Sequence, residues 1–548
     1  MKRTALALIL LAFCASGSPA AEIPAEVDRA IESIETEDIR SHMRFLADDL
    51  LEGRAAGTRG YDLAAAYVRA HMMEMGLEPG GEAGAWTQQV PLIRATAKSE
   101  QTTFAIRDRR QTTNLVPLDD YLLQPDPRDE ISEVDAAVVF AGFGIDAPDL
   151  DWNDYQSIDA HGKIVVILSG APTQFPTTMR AHYGSSRTKA ETAVAHGAVG
   201  LLTIRGPQAQ ARSSWDRMRR SSERPLLRWA GHDGTIGRHH PQLRVTGSIS
   251  PAATPRLFAR SGRKLAHVYA LETNARRPLA FPLRLDASIR IVSSHERIES
   301  ANVAGMLRGS DPRLRDEVVV YSAHLDHTGI GSPVDGDSIN NGAFDNASGI
   351  AAMLESARAF SSLSTPPRRS ILFLAVTAEE QGLLGSDYFA AYPTVPRQQI
   401  VANVNLDMFI MILPFTEVQV HGYDHSTLAR HVDEAAAHFG IKRIDDPQPE
   451  EASFVRSDQY SFVRKGIPGI AINEGIASDD PAVEGERRIT EWLRTRYHRP
   501  SDDLNQPIDW EAGRDFARYS FLVGYLIAQN EETPRWNEGD FFGERFGR

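Results

Sequence analysis

Four apolar runs in the second half of the chain constrain its fold more than any other feature. They lie at 317–323 (EVVVYSA), 371–376 (ILFLAV), 400–406 (IVANVNL) and 467–472 (IPGIAI). Helical stretches at 348–361, 381–391 and 426–439 alternate with them, and a last helix is expected near 512–529. Strands this apolar are covered on both faces, and helices between them supply the cover. The expected fold is therefore α/β, a mixed, mostly parallel sheet sandwiched by helices. Ligands of such open sheets collect beyond the carboxyl ends of the strands.

Chelating side chains stand where that rule places them. His324, the pair Glu379-Glu380 and Asp407 follow closely on, or end, three of the four runs, and Asp345 and His498 lie in the same region. Two histidines and three carboxylates suit two divalent cations that share one carboxylate. A further glutamate suits a base. His324-Leu325-Asp326 puts two side chains on one side of an extended segment, so Asp326 is expected to accept the second ring N–H of His324. In Tyr497-His498-Arg499-Pro500-Ser501-Asp502, Asp502 is the corresponding acceptor for His498. Taken singly, each acid also reads as a helix cap or a solvated turn. Jointly, at strand ends of one domain, they read as a metal centre.

The 548 residues exceed one ordinary domain. Lys2 and Arg3, an apolar run from Ala5 to Phe13 and Ser18-Pro19-Ala20 form the layout of a cleavable signal peptide over 1–20, too short to span a bilayer. Secretion or a periplasmic location is the expectation. Phe13, bulky where a small residue is needed, argues against acylation at Cys14. Cys14 is the single cysteine, so disulfides, thiolate ligands and a cysteine nucleophile are excluded from the mature chain. A net charge of -14 disfavours nucleic acid and anionic lipid as partners, and basic clusters such as 217–220 read as solvated loop.

The front of the chain, 36–80, reads as helices, and 86–125 as short strands. Runs at 136–143, 163–168 and 199–204, with a helix at 189–196, mark a change near 130. From 205 to 240 the chain is rich in Arg, Ser and His and reads as loop; strands resume at 242–249 and 283–293. The expected domains are 21–129, the front of the catalytic unit; 130–260, an inserted β-rich domain without chemistry of its own; and 261–548, the rest of the catalytic unit. Residues 531–548 read as a tail packed through Trp536, Phe541 and Phe542.

The series HLDH, FDNASG, AEEQGLLGS, NLDM and YHRPSDD, in this order, resembles the di-zinc exopeptidase family. That family includes secreted bacterial aminopeptidases, glutamate carboxypeptidase, glutaminyl cyclases and the transferrin receptor. FLADDLLEGRAAGTRGYDLAAAYV resembles the front of members that carry an insert, and VVFAGFGIDAPDLDWNDYQSIDAHGKIVVIL with KAETAVAHGAVGLLTI resembles their protease-associated domain. The resemblance implies two zinc ions per chain. Asp345 would bridge them, Glu380 and His498 completing one and His324 and Asp407 the other. It makes Glu379 the general base and Asp326 its neighbour behind the metal, and it implies a cis peptide at Asp345–Asn346.

Two positions depart from the family pattern. Gln459 stands in Ser457-Asp458-Gln459 where many relatives have histidine, and Phe454-Val455-Arg456 lacks a tyrosine that some relatives aim at the oxyanion. Arg456 or Tyr497 is the candidate substitute. The implied activity is aminopeptidase action on peptides. A carboxypeptidase needs a cationic pocket for the substrate carboxylate, and a non-catalytic scaffold would not need Glu379.

Overall fold

The computed structural model describes residues 23–448, 452–478 and 483–547; the expected leader, with Cys14, lies outside them. Seven strands organise the first sheet: β1 (Thr87–Ala97), β2 (Ala280–Leu307), β3 (Val318–His324), β4 (Ser370–Val376), β5 (Ile400–Leu406), β6 (Glu417–His421) and β7 (Gly469–Glu474). Their order across the sheet is β1-β2-β4-β3-β5-β7-β6. β4, β3, β5 and β7 run parallel, and the flanking strands are antiparallel. Every residue of β3, β4 and β5 is buried, as strands enclosed by helices must be. Residue 324 pairs with 376, and 322 with 405, so the carboxyl ends of three neighbouring strands finish level.

The helices that cover the sheet include α1 (Thr36–Leu46), α2 (Ser348–Ser361), α3 (Leu384–Ala391), α4 (Ala429–Phe439), α5 (Gln459–Val463) and α6 (Trp510–Gln529). α2 packs on α6 and α1, and α4 on α6, in one layer; α3 and α5 pack together in the other. Twelve of the thirteen residues of α2 from Ser348 to Phe360 are buried, Arg358 alone being partly exposed, as in a helix enclosed between sheet and helices.

A second, β-rich unit is wider than the expected 130–260. The first half of β2 pairs with Thr103–Arg107 and Ile131–Ala141, and the sheet continues through Ile164–Leu168, Gly200–Ile204 and Val245–Ile249 to Tyr121–Leu123. β2 thus belongs to both sheets as one 28-residue strand, with a bulge between Pro282 and Asp286. The stretch 205–240 is not plain loop. Pro207 opens a helix over Pro207–Arg212, and the Ser214 hydroxyl caps a second over Trp215–Ser222 by accepting from Arg217 N–H. Leu226–Trp229 then returns to the first sheet and pairs antiparallel with β1. The tail closes the two units together, with Phe542 fully buried against His182, Phe454 and Tyr460.

Tyr321, at the centre of β3, donates from its hydroxyl to the Ser520 carbonyl of α6 at 2.6 Å. A Cβ at Gly524, one turn on, would stand 1.7 Å from that hydroxyl oxygen. Gly524→Ala is expected to cost about 1–3 kcal/mol through overpacking. Thermal melts should show the loss, with part of it recovered in Gly524→Ala/Tyr321→Phe.

Candidate metal centre

Three parallel strands ending together determine where the polar groups meet. His324 is the last residue of β3, Asp407 follows the last residue of β5, and Glu379 and Glu380 lie three and four residues beyond β4. Asp345 sits in the turn before α2, where the Asp345–Asn346 peptide is cis. His498 follows a helix over Gly485–Thr495. Ala378, Met408 and His498 hold left-handed φ values of 54°, 54° and 56°, uncommon for residues with side chains.

The Asp345 carboxylate carries one oxygen to each of two clusters. Its Oδ1 lies 3.1 Å from His324 Nε2, which is also 3.0 Å from Asp407 Oδ1. Its Oδ2 lies 3.2 Å from His498 Nε2, which is 2.9 Å from Glu380 Oε2. His498 Nε2 and Glu380 Oε1 are buried yet make no hydrogen bond of normal geometry. Ligand atoms about 2 Å from a common cation stand this far from one another, so the donor set fits one divalent ion on each side of Asp345.

Charge tells the same story. Burial opposes protonation of both imidazoles, but Asp407 and Asp345 raise His324 well above its ordinary range, and Glu380 and Asp345 raise His498 to about 10. Burial alone would raise Asp345; His324 and His498 instead hold it well below. Burial pushes Glu379 far up, and Asp407 and Glu380 add to the push. The pocket gathers positive charge wherever it can.

The supports differ from the expected ones. His324 Nδ1 donates to the backbone carbonyl of Asp326 at 3.0 Å, not to its carboxylate. A carbonyl only accepts, so Nδ1 carries a proton and Nε2 is the nitrogen turned to the centre. The Asp326 carboxylate accepts instead from Glu379 N–H at 3.0 Å and Glu380 N–H at 3.4 Å, orienting base and ligand through the backbone. Asp502 likewise does not touch His498: it accepts from Phe344 N–H (3.0 Å), Asp345 N–H (3.2 Å) and the Gln506 amide (2.9 Å). Gln459 is fully buried, its amide spent on Phe454 O and Asn405, so it takes no part in the cleft. Arg456 and Tyr497 do line that cleft, about 780 Å³, together with Glu379, Glu380 and His498.

Three contributors escaped the sequence reading. His327, the last residue of HLDH, is fully buried with Nδ1 2.6 Å from Glu380 Oε1 and 3.8 Å from Asp345 Oδ2. With those two acids it forms an alternative ligand trio; His498 is the better placed, because its one nitrogen is within 3.2 Å of both carboxylates. The i, i+3 spacing of the two histidines was the available signal. Ser457 donates its hydroxyl to Asp407 Oδ2. Arg54, fully buried, donates to the carbonyls of Leu46, Leu325, Asn341 and Gly342 and so ties the loops before His327 and Asp345 to the front of the chain.

Comparison with known proteins follows this geometry. Residues 302–523, which hold every residue of both clusters, match peptidase family M28. A 222-residue stretch is 28% identical to the probable leucine aminopeptidase 2 of Aspergillus oryzae, covering 39% of this chain and 42% of that protein. A 238-residue stretch is 32% identical to the leupeptin-inactivating enzyme 1 of Streptomyces exfoliatus, covering 41% and 48%. A shorter stretch of 128 residues is 35% identical to mouse aminopeptidase NAALADL1, covering 22% and 15%. The chain thus spans less than half the length of these relatives. The solved aminopeptidase from Aneurinibacillus sp. strain AM-1 shares the fold, with a TM-score of 0.51 over 93% of this chain and 97% of that one at 18% identity.

The two histidines are separable by metal analysis. His498→Ala is expected to abolish metal binding on its side of Asp345, whereas His327→Ala should keep it and weaken affinity about 10–100-fold. Titration against a chromogenic chelator reads both.

Proposed function

We propose that this protein is an exported di-zinc aminopeptidase that removes N-terminal residues from peptides. The observation that carries the reading is the division of Asp345 between two histidine–carboxylate pairs, with Glu379 on the same cleft. His324, Asp345 and Asp407 would hold one zinc, and Asp345, Glu380 and His498 the other. When bound, the pair supplies Lewis acidity for activating water and polarising the scissile carbonyl.

The chain's own residues supply the rest. The Glu379 carboxylate takes the proton from the attacking water and hands it to the leaving amine, work typically worth about 10²–10⁴-fold in rate. Asp326 fixes the Glu379 backbone for that transfer. The free α-amine of the substrate binds at the acid-rich end of the cleft, and Tyr497 or Arg456 donates toward the carbonyl oxygen as negative charge develops there. Export rests on the leader at 1–20; among the described residues no helix is long and apolar enough to cross a membrane.

Chelation is expected to abolish hydrolysis of aminoacyl-nitroanilides, with activity returning on zinc addition. Glu379→Ala should keep its zinc and lose at least about 10²-fold in kcat. Zinc lost in that variant would make Glu379 a ligand, and chelator-insensitive cleavage would end the metallopeptidase reading.

A further inference from the structure

Behind the metal cleft lies a second cavity of about 690 Å³, between the two sheets. Arg187, Arg238 and Glu380 line both spaces, so the two are contiguous. The walls of the second carry six arginines: Arg187, Arg217, Arg224, Arg228, Arg238 and Arg244. Among the described residues its acidic side chains are Asp126 and Glu380 alone. Asp126 is occupied by the backbone N–H groups of Arg128 and Asp129, and Glu380 belongs to the metal centre. In a chain with a net charge of -14, this is a pronounced local reversal.

Most of that positive charge is uncompensated. Arg187 is paired with Asp387 at 2.8 Å and Arg244 with Asp129 at 3.2 Å. Trp229 Nε1 takes the other Asp387 oxygen, also at 2.8 Å. Among the described residues, Arg217, Arg224, Arg228 and Arg238 have no carboxylate at ion-pair distance. Arg228 donates only to the carbonyl of Leu227, and the buried Arg238 Nε has no hydrogen-bond partner. Arg228 and Arg238 are half-buried, and guanidinium groups so placed are costly to keep without a paired anion. Their planar forks suit carboxylates.

Placement gives this chamber a direction. Arg238 sits just past the strand that joins the second unit to the edge of the first sheet, with φ 55°. A Cβ on Gly382 would meet its Nη1 at 2.7 Å, and Gly382 N–H donates to the Glu379 carbonyl at 2.7 Å. The guanidinium therefore borders the turn that carries Glu379, the residue that protonates the leaving amine in the function proposed above.

We propose that the chamber is a binding site for the leaving side of peptide substrates and selects acidic side chains downstream of the scissile bond. This rests on the peptidase reading. Arg238 stands at the entrance, and Arg217, Arg224 and Arg228 bind the carboxylates beyond it.

Hydrolysis of Leu-Ala-Glu-Glu-amide and Leu-Ala-Gln-Gln-amide by the zinc-loaded full chain tests the site, with Leu-Ala-Gln-Gln bearing a free carboxylate as the third substrate. The Glu peptide is expected to exceed the Gln amide by about tenfold or more in kcat/KM, charge-assisted pairs being of that order. Arg217→Gln/Arg224→Gln, at exposed positions, should shrink that ratio to under about threefold, with zinc content and melting temperature as in the parent. Equal rates on the Glu and Gln amides overturn the proposal, as does an undiminished ratio in the variant. Preference for the free carboxylate over the acidic side chains also overturns it, in favour of recognition of short peptides by their C-terminus. Failure to cleave any of the three, at full zinc occupancy, defeats the peptidase reading instead.

Discussion

Asp345 is the point on which the rest of the structure turns. A fully buried carboxylate shared between His324 and His498, with Glu380, Asp407, Glu379 and Asp326 packed around it, is a concentration of negative charge that a protein interior does not hold unassisted. The imidazoles respond by moving up in pKa and Asp345 by moving down. Protons can answer that demand only partly. Divalent cations held by His324, Asp407, Glu380 and His498 around Asp345 would answer it more fully.

Holding such a cluster in place requires backbone rather than more charge. Asp326 and Asp502 point their carboxylates at N–H groups of the Glu379–Glu380 and Phe344–Asp345 segments, so each ligand loop is gripped through its main chain. Arg54 does the converse, gripping carbonyls of the adjoining loops from a position some 270 residues earlier in the chain. Burial lowers the Arg54 guanidinium to about 10, while Asp502, Asp345 and Asp326 keep it charged. The front segment is therefore part of the centre's scaffold, although it contributes no ligand.

What could be read in advance follows from the range of the interactions. His324, Glu379, Glu380 and Asp407 were legible because each closes or follows an apolar run whose burial is a local property. His327 was hidden by the adjacent and better-known histidine, and Ser457 and Arg54 by the lack of any local pattern: their partners are fixed only by the tertiary fold. The roles of Asp326 and Asp502 were misassigned for the same reason, since spacing shows that an acid is near a histidine and not which of its atoms faces it. Domain limits were obscured by β2. A strand that serves two sheets leaves no break in composition at the boundary, and Leu226–Trp229 crosses back to the first sheet inside a stretch whose Arg and Ser content resembles loop.

The two compartments differ in how their charge is resolved. On one side of Glu380 the excess is negative and the donor geometry converges on points where cations fit. On the other, the excess is positive, carried by six arginines of which Arg187 and Arg244 are paired with acids. A peptide carries both complements at once: a cationic amine at its start and, in acidic sequences, carboxylates farther along. Opposite fields on either side of Glu380 would orient such a molecule before any close contact forms. Arg238 belongs to both spaces, which makes the joint between the two units, rather than either unit alone, the place where an extended acidic substrate is read.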